Sequence, residues 1–271
     1  MSTMSPQVLE TSPISGTIGA VVDASELRPP FDEAAIEALH QAVALHGVVI
    51  LRGMQIDDTG HLTLARQLGE IRVPPVYFPN LGEQGLPEIG VLESPGMGSY
   101  SDLWHSDVTW IPAPPRYSVL HMQVCPEAGG DTMWASLTDA HDRLSPALQE
   151  FATTLSAEHA VGDNHAVHPV VHLHPITGRR ALGVNPLWTR RICELEPGES
   201  EVLLQLLYDT ILRPESMCRW RWQEGDVAIW DNHFVLHYVV QDYGDAHRLI
   251  HRIEIEGEPF IPAASVSPAR R

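Results

Sequence analysis

The sequence predicts an α+β, mainly β domain built on an antiparallel sheet or barrel. From residue 72 onward, short apolar segments are separated by Pro and Gly, which is typical of successive β-strands. Helical patterns are few and segregated, with two before residue 72 and two after residue 144. With 271 residues, of which 44% are apolar, the chain is long enough to bury a sizeable core.

The first predicted elements alternate between strand and helix. Residues 17–24 and 48–53 are predicted as strands, because both are short apolar runs. Residues 31–47 predict an amphipathic helix that stops at Gly47, and residues 57–71 predict a second helix capped by Asp57 or Asp58. The apolar residues at helical spacing in the first helix are Ala35, Ile36, Leu39, Ala42, Val43 and Leu45.

The rest of the chain is dominated by strands. Helices are predicted over 145–155 and 198–212. The candidate strands are 116–125, 132–136, 169–174, 181–185, 218–222, 227–230 and 247–256. No internal repeat or long linker interrupts the pattern, so we predict a single domain over 14–262, with flexible tails over 1–13 and 263–271.

Composition limits the classes of partner. A net charge of −18 disfavours nucleic acid and anionic membranes, so an anionic ligand would need arginines inside a pocket. No apolar run reaches the ~20 residues of a membrane span, and the N-terminus lacks a secretory signal. Three scattered cysteines without a C-x-x-C pair are expected to be packing residues in a reducing compartment. We therefore expect a cytoplasmic protein without nucleic-acid or membrane partners; assembly into a homo-oligomer through outer helices stays open.

The segment WHSDVTW (104–110) places a histidine and an aspartate two residues apart, walled by tryptophans. If the segment is a strand, His105 and Asp107 share a face at about 6 to 7 Å along the strand. Such a pair is either hydrogen-bonded within itself or consists of two metal ligands that need a third.

A second segment, residues 225–257, carries further candidates. His237 lies in the apolar run FVLHYVV, where it is either a buried core histidine or a ligand. In the last strand, alternation places Leu249, His251, Ile253 and Ile255 on one face and Arg248, Ile250, Arg252 and Glu254 on the other. Two arginines about 13 Å apart on one strand face indicate bound anions. The alternative is a solvated strand face.

Four motifs in a fixed order resemble a known family. They are W-H-x-D (104–107), A-G-G-D-T (128–132), W-D-N-x-x-x-x-H (230–237) and R-x-x-x-R (248–252). The segment HPVVHLHPITGRRALGVN (168–185) lies between the second and the third. Together they resemble the taurine dioxygenase / chlorophenoxyacetate dioxygenase (TauD/TfdA) family of Fe(II)- and 2-oxoglutarate-dependent oxygenases, over about residues 13 to 260.

The resemblance implies a role for each matching residue. His105, Asp107 and His237 match the iron ligands and form the catalytic centre, while Thr132 and Arg248 match the residues that hold the distal carboxylate of 2-oxoglutarate. Arg252 matches the residue that binds the anionic end of the substrate. The other substrate-binding positions are Tyr77, Ser101, Val108 and Trp188. The implied fold is a double-stranded β-helix, a jelly-roll barrel with flanking helices. The implied reaction uses Fe(II), 2-oxoglutarate and O₂ to hydroxylate a small organic anion, with release of succinate and CO₂.

Several positions depart from the family pattern. Pro74 stands where taurine enzymes have a histidine, and Ser101 stands where they have an asparagine, so both count against taurine itself. Only eight residues (160–167) separate AEH from HPVV, where relatives carry a longer covering insertion. The short segment and the large side chain of Trp188 predict a more open entrance to the active site and a bulkier or longer substrate.

Alternatives remain at this stage. An alkyl sulfate or sulfonate is the first substrate we expect, and an aryloxyalkanoate or a natural-product biosynthetic intermediate is the second. From other classes, the three ligands could hold zinc for hydrolysis, or the chain could be a non-catalytic jelly-roll binding protein. A histidine-rich run (His165, His168, His172, His174) could mark a second metal site, but we expect its members other than His168 to face solvent.

Overall fold

The computed structural model describes residues 9–75, 78–94 and 103–263. The helices are α1 (Glu33–His46), α2 (Asp58–Leu68), α3 (Leu137–Arg143), α4 (Pro146–Ala152) and α5 (Pro197–Ile211). The strands are β1 (Ser12–Pro13), β2 (Ala20–Asp23), β3 (Val48–Arg52), β4 (Ile71–Arg72), β5 (Asn80–Leu81), β6 (Leu86–Ser94), β7 (Tyr117–Val124), β8 (Thr132–Ser136), β9 (Ser156–Val161), β10 (Asn164–Pro169), β11 (Val171–Leu173), β12 (Arg180–Leu182), β13 (Thr189–Ile192), β14 (Met217–Trp220), β15 (Val227–Asp231), β16 (Val235–Val239), β17 (Arg248–Ile255) and β18 (Ile261–Pro262). In the part of the chain that is described, no helix has the length and apolar character that crossing a membrane requires.

A nine-stranded sheet forms the larger layer of the barrel. Its order is β1-β2-β3-β15-β7-β17-β6-β5, with β4 paired to β17. Every pairing in this sheet is antiparallel except that of β2 with β3. Because β17 lies between β6 and β7, it is an inner strand, and both of its backbone edges pair with neighbouring strands.

A three-stranded sheet in the order β14-β8-β16 faces the large sheet. The apolar cluster between them takes Ile50, Met122, Trp230 and Ile250 from the large sheet and Trp134 from the small one. Two facing antiparallel sheets with a shared interior are the arrangement of a jelly roll, as the sequence predicted. Residues on the interior face of β16 and β17 therefore point toward one another across the barrel.

The helices cover the outer faces of the sheets. Leu39 and Val43 of α1 pack with Ile229 and Ile253 on the outer face of the large sheet, and α3 and α5 belong to a second cluster around β11 and β12. Asp32 and Asp57 accept backbone N–H bonds at the starts of α1 and α2, so of the two capping candidates for the second helix Asp57 is the cap. Leu45 lies outside the buried stripe of α1 and is 62% exposed, contrary to the helical pattern assigned to it.

Several elements differ from the sequence predictions. Helix α3 and strands β6, β9 and β13 were not predicted, because their polar residues hide the apolar pattern. The strand predicted over 169–174 is two strands that break at Val170. Ser12 and Pro13, which were predicted to lie in a flexible tail, pair with β2. Ala263, which was predicted to lie in the C-terminal tail, is buried.

Candidate metal centre and anion-binding arginines

Three ligand-type side chains converge beside the small sheet. His237 lies on β16, and His105 forms an isolated β-bridge with it. The N–H of His105 donates to the carbonyl of His237 over 3.1 Å, and the reverse bond measures 2.8 Å. With Asp107, these residues place three ligand atoms within 4.8 Å of one another, and all three residues are buried. The bridge therefore brings together ligands that are far apart in the chain.

The chemistry of this donor set fits a divalent metal ion. Oδ1 of Asp107 lies 3.7 Å from Nε2 of His105 and 3.8 Å from Nε2 of His237. Nδ1 of His105 lies 2.6 Å from the carbonyl of Leu103, and donation there directs the lone pair of Nε2 toward Asp107. Two imidazoles and one carboxylate with open positions are the donor set of non-haem Fe(II) sites.

Protonation states in the centre also suit a metal. Burial lowers the pKa of His105 and brings that of His237 to about 3. Burial opposes the ionisation of Asp107, but the charges of His237, Arg252 and His105 bring its pKa to about 2. At neutral pH the centre therefore presents two neutral imidazoles and one carboxylate, which are the forms that bind metal ions.

The segment that carries Asp107 is a turn, so the strand geometry considered for His105 and Asp107 does not apply. Residues 107–110 form the turn, and Val108 has a φ of +57°, which is strained for a β-branched residue. Asn232 holds the turn: its Oδ1 accepts from the N–H of Asp107 over 2.6 Å, and its Nδ2 donates to the carbonyl of Asp107 over 2.9 Å and to that of Pro115 over 3.0 Å. The W-D-N motif contains Asn232, but sequence reasoning assigned it no role.

Ser118 on β7 is a second partner that the sequence did not reveal. Its hydroxyl donates to Oδ2 of Asp107 over 2.9 Å, and the residue is fully buried. The bond leaves Oδ1 facing the two imidazoles. Nothing in the local sequence of β7 marks this serine, because its partner comes from another segment.

We expect Ser118→Ala to weaken metal binding by about tenfold, because groups that orient a ligating carboxylate typically contribute 10- to 100-fold in affinity. The measurement is anaerobic titration of the metal-free protein with Fe(II), followed by calorimetry. Ser156→Ala is the control, since that hydroxyl bonds Glu194 at the surface. Equal Fe(II) affinity in Ser118→Ala and the wild type would contradict this role.

A buried network supports the turn from behind. Nδ1 of His159 lies 2.9 Å from the hydroxyl of Thr109, and Nδ2 of Asn185 donates to the same hydroxyl over 3.1 Å. Nε2 of His168 donates to the carbonyl of Thr109 over 2.8 Å. Three segments distant in sequence thus hold the residue that lies two places after Asp107.

The histidine-rich run is mostly structural. His172 and His174 are buried, contrary to the expectation that they face solvent, and only His165 of the run is exposed. Nε2 of His172 donates to the carbonyl of His233, and His174 lies 3.4 Å from Asp231. Among the described residues, the only His, Cys, Asp and Glu group close enough to hold a metal is that of His105, Asp107 and His237.

Arg248 is buried beside the A-G-G-D-T segment. Its Nε donates to the carbonyl of Gly130 over 3.0 Å, while its buried Nη2 has no hydrogen-bond partner among the described residues. Thr132, two residues after Gly130, is buried, and its hydroxyl accepts from Trp222 Nε1 over 2.9 Å. A buried guanidinium nitrogen without an acceptor fits an anionic ligand such as a carboxylate.

Arg252 lies at the metal centre itself. Its Nη1 donates to Oδ1 of Asp107 over 3.2 Å, its Nη2 lies 3.4 Å from Oε1 of Glu254, and the guanidinium lies 5.0 Å from the ring centroid of Phe78. Its side chain is 18% exposed. With Arg248 buried as well, β17 does not present a solvated face of arginines.

The predicted pocket-lining residues are distributed unevenly. Trp188 is buried with its ring edge-on to His105, at 6.4 Å between centroids, and to Trp110, at 4.3 Å. Val108 is half-buried beside Asp107. Tyr77 and Ser101 lie outside the described residues. Two tryptophans that touch beside the first histidine form an apolar wall next to the centre.

The eight residues between AEH and HPVV form the end of a hairpin. Strands β9 and β10 pair over their whole length, from Val161 with Asn164 to Ser156 with Pro169. The link between them is a tight turn over Gly162 and Asp163. The described chain therefore has no covering insertion at this position.

The amino-acid sequence of this chain is similar to those of several known proteins. A sequence model described as "Taurine catabolism dioxygenase TauD, TfdA family" matches residues 10–253. An alkylsulfatase of Acinetobacter baylyi is 34% identical over 93% of this chain and 86% of that protein. An alpha-ketoglutarate-dependent sulfate ester dioxygenase of Pseudomonas putida is 34% identical over 92% of this chain and 90% of that protein.

A solved structure shows the same fold. The crystal structure of a putative alpha-ketoglutarate-dependent taurine dioxygenase from Burkholderia xenovorans superposes with a TM-score of 0.87 at 31% identity. The match covers 95% of this chain and 96% of that chain. The predicted jelly-roll fold with flanking helices is thereby confirmed.

Proposed function

The chain belongs to the taurine catabolism dioxygenase TauD, TfdA family, and we propose that it hydroxylates a small organic sulfate or sulfonate. It is an Fe(II)- and 2-oxoglutarate-dependent dioxygenase, so the zinc hydrolase and the non-catalytic binding protein are set aside. One observation carries the choice of an anionic substrate: the guanidinium of Arg252 contacts the same carboxylate oxygen that faces both imidazoles. A substrate anion bound by Arg252 would lie next to the metal.

We assign the metal to the converged ligands. His105, Asp107 and His237 would hold Fe(II) in the catalytic centre, with Ser118 and Asn232 fixing the carboxylate and its turn. Bound iron supplies the activation of dioxygen, in which 2-oxoglutarate is oxidised to succinate and CO₂ and the second oxygen atom enters a substrate C–H bond. The protein contributes neutral imidazoles and a carboxylate held in place before the metal arrives.

The cosubstrate is assigned to Thr132 and Arg248. The unpartnered Nη2 of Arg248 offers a donor for the distal carboxylate of 2-oxoglutarate, and its Nε is held by Gly130. Asp242 fixes the Gly130 segment, since it accepts from the N–H of Gly130 over 2.9 Å. A guanidinium immobilised in this way orients a carboxylate with little loss of side-chain entropy.

The substrate is assigned to Arg252 and the apolar wall. Arg252 would bind the sulfate or sulfonate group, while Trp188 and Val108, with Tyr77 and Ser101, would line the space for the rest of the molecule. Holding the anion places one particular C–H bond at the metal, which converts binding energy into orientation. The β9–β10 hairpin stands at the position where a covering insertion was expected in relatives, and this supports the proposal of a substrate with a longer or bulkier organic part.

Hydroxylation next to the head group explains how such an enzyme releases sulfate. When the carbon bearing the ester oxygen gains a hydroxyl, the product is a hemiacetal ester. Its collapse breaks the C–O bond, expels sulfate and leaves an aldehyde. One molecule of 2-oxoglutarate and one of O₂ are consumed for each sulfate released.

We further propose that residues 14–262 act as one oxygenase unit in the cytoplasm. The family match over 10–253 supports one unit, and three free cysteines suit a reducing compartment. With a net charge of −18, the surface repels anions, so the buried arginines have to supply the attraction locally.

We expect anaerobic Fe(II) and 2-oxoglutarate to produce a weak visible charge-transfer absorption band, which an alkyl sulfate shifts. With O₂ admitted, sulfate and succinate should form in equal amounts. The measurement is the succinate released with each candidate substrate, minus the succinate released without one. The candidates are medium-chain alkyl sulfates, alkyl sulfonates and aryloxyalkanoates. Release with aryloxyalkanoates alone would overturn the sulfate or sulfonate assignment.

A further inference from the structure

Glu254 is a buried carboxylate beside the proposed substrate anchor. It lies two residues after Arg252 on β17, and its side chain is 8% exposed. Its Oε1 is 3.4 Å from Nη2 of Arg252, and its Oε2 is 3.8 Å from Nε of Arg72. Arg72 in turn lies 3.4 Å from Glu256. Together with Asp107, these residues form a row of alternating charge from the metal centre to the surface.

The contact between Glu254 and Arg252 is electrostatic. Oε1 of Glu254 accepts no hydrogen bond among the described residues, and the hydrogen bond of Arg252 goes to Asp107. Burial raises the pKa of Glu254, while the guanidinium groups of Arg252 and Arg72 favour its charged form. A charge in this position acts at short range on any anion that Arg252 binds, because little water screens it.

The size of this effect depends on the charge of the ligand. A lone guanidinium attracts a dianion more strongly than a monoanion, since the Coulomb energy is proportional to charge. Glu254 repels the ligand in the same proportion, so its penalty on a dianion is about twice its penalty on a monoanion. Whatever charge the metal centre adds, the carboxylate of Glu254 therefore reduces the advantage that a dianion would gain from Arg252.

We propose that Glu254 sets the charge preference of the site, so that Arg252 accepts a monoanionic sulfate or sulfonate and disfavours a dianionic phosphate of the same shape. This inference rests on the proposed function, in which Arg252 holds the substrate anion. Glu254 is a specificity-determining residue whose charge acts on the anion that Arg252 holds, and among the described residues its side-chain ion pairs are with Arg252 and Arg72.

The test compares an alkyl sulfate with the alkyl phosphate of equal chain length at about pH 7.5, where a phosphate monoester carries nearly two negative charges. Binding is measured by calorimetry on the anaerobic holoenzyme with Fe(II) and 2-oxoglutarate, so no turnover is needed. The wild type should prefer the sulfate. In Glu254→Gln, which keeps the shape and removes the charge, the preference should fall by about tenfold, mainly through tighter phosphate binding.

Two further variants separate charge from structure. Glu254→Asp keeps the charge and should retain the preference of the wild type for sulfate. Glu256→Gln removes the outermost charge of the row, whose side chain is 42% exposed, and should leave both affinities unchanged. A preference that is the same in Glu254→Gln and wild type, or an equal loss of both ligands in Glu254→Gln, would overturn the inference and leave the proposed function standing. A wild type that binds neither sulfate nor sulfonate would overturn both.

Discussion

Replacing Arg252 by alanine is expected to reduce coupled substrate oxidation by about 100-fold while iron binding persists. The guanidinium is the cationic group that contacts Asp107, so its loss removes the anchor that places the substrate at the metal. Iron binding should persist because backbone bonds between His105 and His237, and Ser118 on Asp107, hold the ligands independently. The measurement is the ratio of oxidised substrate to succinate, which should fall from near one toward zero, together with the iron content.

Arg72→Ala is the matched control for this variant. Arg72 faces the other oxygen of Glu254, is partly exposed and does not contact Asp107 in the described structure. Its removal should leave the coupling ratio near one. If Arg252→Ala stayed coupled, the substrate anion would bind elsewhere. If it lost iron in proportion to activity, Arg252 would serve mainly as the partner of Asp107.

The second large effect concerns stability in mild acid. Away from the metal centre, five buried histidines have strongly lowered pKa values, because burial removes water from the protonated ring. They are His61, His159 and His172 at about 3, and His121 and His233 at about 4. In the unfolded chain the same rings bind protons near pH 6.5. At pH values between the folded and the unfolded pKa, the unfolded state binds more protons than the folded state. The free energy of unfolding therefore has its full value above about pH 6.5 and falls as the pH decreases.

The expected loss is large. At pH 5 each of these histidines costs about 2 kcal/mol of unfolding free energy, or roughly 10 kcal/mol for all five. This is comparable to the whole stability of an ordinary domain, about 5–15 kcal/mol, so we expect acid unfolding near pH 5. Carboxylates such as Asp231, whose pKa is lowered by Arg116 against the effect of burial, lose their contribution only at lower pH.

Urea denaturation at a series of pH values between 8 and 5 measures this effect. The ring of His172 stacks on Phe260 with 4.3 Å between centroids. His172→Phe should reduce the slope of the free energy of unfolding against pH by about one proton, whatever its effect on stability at pH 8. The control is Val167→Ala, because Val167 is exposed, carries no ionisable group and should not change the slope. A free energy of unfolding that stays constant down to pH 5 would show that these rings are protonated in the folded protein.

Much of the candidate metal centre could be predicted from the sequence. His105 and Asp107 lie close because a turn held by Asn232 brings them together, although their shared face was considered for a strand. Residues two apart lie close in either conformation, so the pair could be recognised in both cases. The proposed role of His237 came from the family resemblance that the four motifs carry, since its own segment also suited a core histidine.

The sequence by itself determined the residue types that carry the chemistry and the local elements that present them. Alternation along 248–255 and the cap at Asp57 depend on near neighbours, and these are readable in a chain. Only the tertiary structure decided that Ser118 orients Asp107, that Arg252 contacts Asp107 and that most of the histidine-rich run is buried. Such contacts join separate segments of the chain, and the burial of a side chain depends on the packing of the whole barrel, which no local pattern encodes.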